Sequence, residues 1–378
     1  MTSTDLVLVL NAGSSSLKYQ VIGVPDGASR LRGHVERLEH GGFDAAFEQL
    51  TSEVDDAGLG ADLVGVGHRV VHGGARHTAP ERVDDDLLAS IDELSALAPL
   101  HNPPALEVLR LALDAWPALP HVAVFDTAFF ADLPPAAATP AIDRQLAADT
   151  GIRRFGMHGT SHAWVAARAA DHLGRRASGF AVITLHLGNG ASAAAIRDGR
   201  PLETSMGFTP LEGLVMGSRG GDLDPGVLLH LLHRGWDATG LSDLLHHRSG
   251  LQGLAGTSDF RDLLGALDHD DGRARLAYDV YCLRLRKYVG AYLAVLGGAD
   301  AIVFTGGVGE NVPRLRSDAL RGLDPLGIEV DDVRNDAAGA GPATISPDRS
   351  RVAVLVVPTD EERAIAQQVH TLLRSAQD

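Results

Sequence analysis

The run VITLHLGNGASAAAIRDG, residues 182–199, decides the fold. Val182, Ile183, Thr184 and Leu185 suit a buried strand, Gly188-Asn189-Gly190 turns the chain, and small residues lead back to Arg197-Asp198-Gly199. The stretch reads as a β-hairpin with a glycine-rich tip. Glycine lets backbone N–H groups converge on an anion without interference from Cβ, and Asn189 and Ser192 add side-chain hydrogen-bonding groups. The tip is therefore either a plain turn or a phosphate loop. An echo elsewhere favours the second reading. Residues 7–22, VLVLNAGSSSLKYQVI, repeat the progression of apolar strand, glycine, hydroxyl residues and returning strand, so the chain carries two such hairpins.

A length of 378 residues implies two or three domains, and 45% hydrophobic with 22% charged residues is ordinary for a globular protein. The net charge of −16 disfavours nucleic acid or an anionic membrane as partner, so an anionic ligand must meet a local cationic site. The one cysteine, Cys282, falls in a helical pattern and reads as core. MTSTDLVLVL lacks a basic leader region, and no apolar run approaches the roughly 20 residues of a membrane span, so a soluble cytoplasmic protein is expected.

Outward from the first hairpin, a third strand at 29–36 and a charged segment at 43–54 precede an apolar strand at 63–66. This strand empties into Gly67-His68-Arg69-Val70-Val71-His72-Gly73-Gly74. An arginine there suits a cleft or a solvated loop. Residues 84–97 read as a helix whose acidic start is a solvated first turn, and Pro103-Pro104 opens another through Leu113. The strand at 121–125 ends in Asp126, which either caps the next turn or joins the chemistry that collects at strand carboxyl ends. The Pro- and Ala-rich stretch 133–140 marks a domain junction. His158 precedes a helix at 161–173 that contains His162. The spacings 68/72 and 158/162 resemble zinc pairs, but their glycines and the lack of a further ligand leave His158 as a substrate-bonding or a structural histidine.

Residues 202–226 are too rich in Gly and Pro, and too long, for an ordinary connection, and they set Arg219 between Gly217 and Gly220. Two glycine-flanked arginines in an acidic chain point to a cationic pocket for a compact anion. Short helices are expected at 227–232, 241–246 and 259–267 with a loop at 250–258, then a long helix at 274–296. A strand at 301–305 is broken by Gly306-Gly307-Val308-Gly309-Glu310-Asn311 before a helix near Pro313, a nucleotide-contact arrangement without the Rossmann or P-loop spacing. The last strand, 352–357, leads to a helix at which Thr359 and Glu362 fit a capping box, leaving Glu361 for a metal ion or its waters.

Taken in order, LNAGSSSLK (10–18), GHRVVHGG (67–74), GMHGTSH (156–162), HLGNGAS (186–192), MGSRGGD (216–222) and GGVGEN (306–311) resemble the acetate kinase family, over nearly the whole chain. The resemblance implies an α/β, two-lobed, duplicated ribonuclease H-like (actin-like ATPase) fold, with central mixed sheets flanked by helices and an interlobe cleft. Residues 1–130 with 362–378 would form the N-terminal lobe and 131–361 the C-terminal lobe. The implied reaction is reversible transfer of the ATP γ-phosphoryl to acetate by direct in-line displacement with Mg2+, or Mn2+ in its place, in a cytoplasmic homodimer. Neither nucleic acid nor membrane would be a partner. By position, Arg69, Asp126, His158 and Arg219 would be catalytic. Asn11, Ser14, Ser16, Lys18, His186, Asn189, Gly190, Asp259, Phe260, Arg261, Gly306, Gly307, Gly309 and Asn311 would bind ATP and its phosphates. Val71, Leu100, Met157 and Pro210 would form the acyl pocket, and Asn11 and Glu361 would hold the metal, with Asp126 helping to organise it. The family usually has Phe where Met157 stands, so propionate or another short-chain carboxylate is the alternative acceptor. A sugar kinase using Asp126 as base would need a polar pocket, and an Hsp70-type module would need a separate peptide-binding domain.

Overall fold

A computed structural model describes residues 5–13, 16–36 and 42–375; Ser14 lies outside them. The strands are β1 (Asp5–Ala12), β2 (Ser16–Val24), β3 (Ser29–Glu36), β4 (Leu63–Val70), β5 (Glu81–Arg82), β6 (His121–Phe125), β7 (Ala181–Leu187), β8 (Ala191–Arg197), β9 (Arg200–Thr204), β10 (Ala301–Thr305), β11 (Ala343–Thr344) and β12 (Ala353–Val356). They form two six-stranded sheets, ordered β3-β2-β1-β4-β6-β5 and β11-β12-β10-β7-β8-β9. Strand for strand, the plan is the same. In each sheet an antiparallel meander of three strands is followed by two strands parallel to the first, and a two-residue antiparallel strand closes the far edge. Each sheet belongs to its own unit: Met1–Ala131 with Met157–Ser161 and Asp360–Asp378, and Asp132–Gly156 with His162–Thr359.

In the first unit, β1 is apolar on both faces because both are covered. Leu6, Leu8 and Leu10 pack with Phe43, Phe47 and Leu50, while Val7 and Val9 pack with Ile365 and Val369 of the helix Glu361–Ser375. Alternation thus splits one strand between two cores. On that closing helix Glu361, Ile365, Val369 and Leu373 recur every fourth residue and are all buried, so the stripe that packs on the sheet begins with a carboxylate.

Four local expectations are corrected. The strand expected to stop at Val66 continues through Val70, because β4 pairs with β1 and β6 on both sides; Arg69 is therefore a strand residue. The loop expected at 250–258 contains a helix, Gly250–Ala255, whose start is tied by Leu251 and Gln252 N–H bonds to the Met216 and Gly217 carbonyls. The glycine-rich break after β10 is itself a short helix, Gly306–Asn311. The Glu310 carboxylate accepts from the Gly306 N–H at 2.9 Å, and Arg316 Nη1 donates to the Gly309 and Glu310 carbonyls. Finally, Asp360, not Thr359, caps the closing helix by accepting from the Arg363 N–H at 3.1 Å, because the helix begins at Glu361. The Thr359 N–H donates to Glu310, and Glu362 accepts from Asn11.

Candidate active site

In the first unit the parallel strands β1, β4 and β6 place Asn11, Arg69 and Asp126 at neighbouring carboxyl ends, the edge of an open α/β sheet where ligands gather. The Arg69 guanidinium donates through Nη2 to Asp126 Oδ2 at 2.6 Å, through Nε to both Asp126 oxygens at 3.2 Å, and through Nη1 to Asn11 Oδ1 at 3.1 Å. Glu361 lies 3.5 Å from Nη1. Burial works against the Arg69 charge, but Asp126 and Glu361 outweigh it and hold the group firmly protonated. Glu361 itself is pushed up to about 7, chiefly by burial, with Arg69 opposing and Asp126 and Glu362 reinforcing the shift.

His158 stands immediately before the helix Gly159–His172 with φ of 58°, a backbone state uncommon outside glycine. The next residue fixes it there. The Gly159 N–H donates to the Asp126 carbonyl at 2.9 Å, and a Cβ on Gly159 would come 2.2 Å from that oxygen. Val71 and Met157 are buried and Leu100 half-buried in this same unit. Asn11 is buried, Ser16 half-buried and Lys18 exposed on the first hairpin.

In the second unit the tip of the β7–β8 hairpin carries Asn189, whose carbonyl accepts from the Gly217 N–H at 2.9 Å. A cavity of about 740 Å³ is lined by Asn189, Asp259, Phe260, Arg261, Gly307 and Asn311, and also by Gly188, Gly217, Leu251, Val308 and Val312. His186, Gly190, Gly306 and Gly309 do not line it. Asp259 caps the helix Phe260–Asp268 and pairs with Arg261 at 2.6 Å. A second cavity, of about 830 Å³, is bordered by Tyr278, Cys282, Arg314 and Asp318. Its charges are paired, Arg314 lying 3.8 Å from Asp318, and the Cys282 thiol is pushed up to about 12 by burial.

Arg219 is buried, donates to the Pro210 carbonyl at 2.9 Å, and has no carboxylate partner among the described residues; burial lowers its pKa to about 10. His162 is a structural histidine. It bridges Thr184 Oγ1 at 2.7 Å and Ser192 Oγ at 2.8 Å, pinning both strands of the hairpin, and burial keeps it neutral. Among the described residues no group of three or more His, Cys, Asp or Glu could hold a metal by itself. The oxygen donors of Asn11, Asp126 and Glu361 nevertheless suit Mg2+, which takes one or two carboxylates and leaves its other positions to water and phosphate.

The acetokinase family profile matches residues 35–367. The chain belongs to the acetokinase family. It is 48% identical over 400 aligned residues to the acetate kinase of Streptomyces avermitilis, covering 99% of each chain. Among solved structures it is similar to acetate kinase from Porphyromonas gingivalis, at 40% identity and TM-score 0.89 over 98% of this chain and 100% of that one. It is also similar to a propionate kinase from Francisella tularensis, at 35% and 0.89 over 96% and 98%. The repeated sheets are the duplicated actin-like ATPase fold of these acetokinase structures. Two carboxylates that bond residues expected in the site escaped the sequence reading. Glu362 bonds Asn11 Nδ2 at 3.3 Å, and Glu310 holds the Gly306–Asn311 helix. Both were hidden by plausible local roles, in a cap and in a turn.

Proposed function

We propose that this chain is an acetate kinase, which transfers the γ-phosphoryl of ATP to acetate and back by direct in-line displacement. The observation that carries the reading is Arg219, a buried guanidinium to which the described residues offer no carboxylate. A buried charge left unpaired is costly, and a compact anion is the partner that relieves it. Acetate is ionised at neutral pH and needs no general base, so the protein's task is alignment and charge neutralisation. In this reading Arg219 and Arg69 hold the carboxylate and the phosphoryl in transfer, while His158 and Asn189 hydrogen-bond the transferred oxygens. Asn11, Ser16 and Lys18 line the first phosphate loop. Val71, Leu100, Met157 and Pro210 enclose the acyl group.

Asn11 and Glu361, with Asp126 behind them, would hold Mg2+, which when bound neutralises phosphate charge. Asp126 also orients Arg69 through its paired bonds. The acetate kinase relatives support ATP and acetate as substrates, and the propionate kinase relative makes propionate the competing acceptor.

The helix Pro225–His233 carries Val227, Leu228, Leu229, Leu231 and Leu232 and buries none of them. We assign this apolar face to a second copy of the chain, in a homodimer. No helix among the described residues is long and apolar enough to cross a membrane. In this reading the enzyme works in the cytoplasm, where its ATP is.

The deciding experiment supplies ATP and Mg2+ with acetate, propionate, butyrate or glycerol, traps acyl phosphate with hydroxylamine and measures ADP. Acyl hydroxamate and ADP with acetate are expected. ADP formed only with glycerol rejects the carboxylate reading.

A further inference from the structure

Beyond Val70 the chain leaves the sheet, and its peptide groups lose their ladder partners while staying buried. Side chains replace the ladder. The His72 N–H donates to Asn102 Oδ1 at 3.1 Å, and the His72 carbonyl accepts from Asn102 Nδ2 at 3.0 Å. The next N–H, of Gly73, donates to Thr127 Oγ1 at 3.0 Å. Asn102 is fully buried and is the first residue of the helix Asn102–Ala115. The N-cap position of that helix is held by His101, so the Asn102 amide is not needed to cap it. Both halves of the amide are spent on the N–H and the carbonyl of one distant residue, as in a paired strand.

His72 directly follows Val71, and Asn102 stands two residues after Leu100. The clamp therefore fixes the spacing between the two backbones that carry these side chains. We propose that Asn102 is a positioning residue that sets the width of the acyl pocket, and with it the choice between acetate and longer carboxylates, by locking the Val71 and Leu100 backbones together. This rests on the assignment of Val71 and Leu100 to the acyl pocket. Thr127 supports the same segment one peptide further on.

Asn102→Asp keeps the size of the side chain but replaces the donor with an oxygen facing the His72 carbonyl. Steady-state kinetics of this variant should show KM for acetate raised about tenfold and the acetate-to-propionate ratio of kcat/KM shifted at least about threefold, with KM for ATP within about twofold of wild type. Thr127→Val should move the same two quantities in the same direction by less, and Thr127→Ser, which keeps the hydroxyl, should restore them. The Thr127 pair decides the matter if Asn102→Asp does not fold. Unchanged carboxylate KM and ratio in a folded variant overturn the proposal, as does a KM for ATP that rises as much as that for acetate. A wild-type chain that phosphorylates neither carboxylate overturns the acetate kinase reading, and this proposal with it. An active wild type with a silent Asn102→Asp overturns this proposal alone.

Discussion

Arg69 and Arg219 look alike in sequence, each a guanidinium near glycines, yet they are electrostatic opposites. Arg69 lies on a strand, and the neighbouring strand ends bring it Asn11 and Asp126 while the closing helix brings Glu361. Arg219 lies on a loop of small and apolar residues and donates to a carbonyl oxygen. Burial pulls its pKa down to about 10, whereas the carboxylates hold Arg69 charged against the same penalty. A paired buried arginine is held in place by its carboxylates before any substrate arrives. A buried one without a counter-charge carries a desolvation cost that no carboxylate among the described residues offsets.

Arg69→Ala tests that contrast with the largest effect. It leaves Asp126 and Glu361 without the cation between them, and breaking a buried pair this way costs about 3–5 kcal/mol. Urea titration should show a large drop in stability alongside lost turnover; an Arg69→Ala chain as stable as wild type breaks the comparison. Arg219→Ala removes a charge that burial already penalises. Its turnover should fall about 10²-fold or more while the urea midpoint stays level or rises, and a near-normal rate would sink the mechanism.

A smaller effect separates how the two side chains are held. Gly250 has φ of 60°, and a Cβ there would lie 2.3 Å from the Met216 carbonyl oxygen and 2.6 Å from that of Arg219. Gly250→Ala should therefore displace the Arg219 backbone and lower kcat about tenfold, a strain of about 1–2 kcal/mol. On the Arg69 side, Gly67→Ala meets methyl groups of Val369 and Ile365 at 2.8 and 2.9 Å. That variant should lose stability in thermal melts and keep kcat within about twofold, since the strand ladder still fixes Arg69.

The two hairpins were legible because apolar runs and glycine tips are local signals, and the strand repeat followed from finding them twice. Less of the Arg69 site was legible. Gly67 reads as a strand break, but β4 continues through it because β1 and β6 pair with it on both sides, and it is glycine because Ile365 and Val369 leave no room for a side chain. The burial of Glu361 was written in the four-residue spacing to Ile365, Val369 and Leu373, and a competing cap assignment to Thr359 obscured it. That Arg219 lacks an acid was beyond the sequence, because an absence of charge in space leaves no mark on neighbouring letters.

A further difference is a pH slope that belongs to the Arg69 side alone. Burial first, then Asp126 and Glu362, raise Glu361 to about 7 against the pull of Arg69, from an ordinary value of 4.5. Through that window the folded chain keeps a proton that the unfolded chain has released. Stability from this group is therefore greatest at the acid end and falls as pH rises toward 7. Arg219 stays protonated in both states there and adds no slope. Glu361→Gln is neutral throughout and should flatten the decline of Tm between about pH 4.5 and 7, while Arg219→Ala should leave that decline as it is. If Arg219→Ala flattens it and Glu361→Gln does not, the uncompensated charge lies on the other side of the comparison, and the division into paired and unpaired arginine must be reversed.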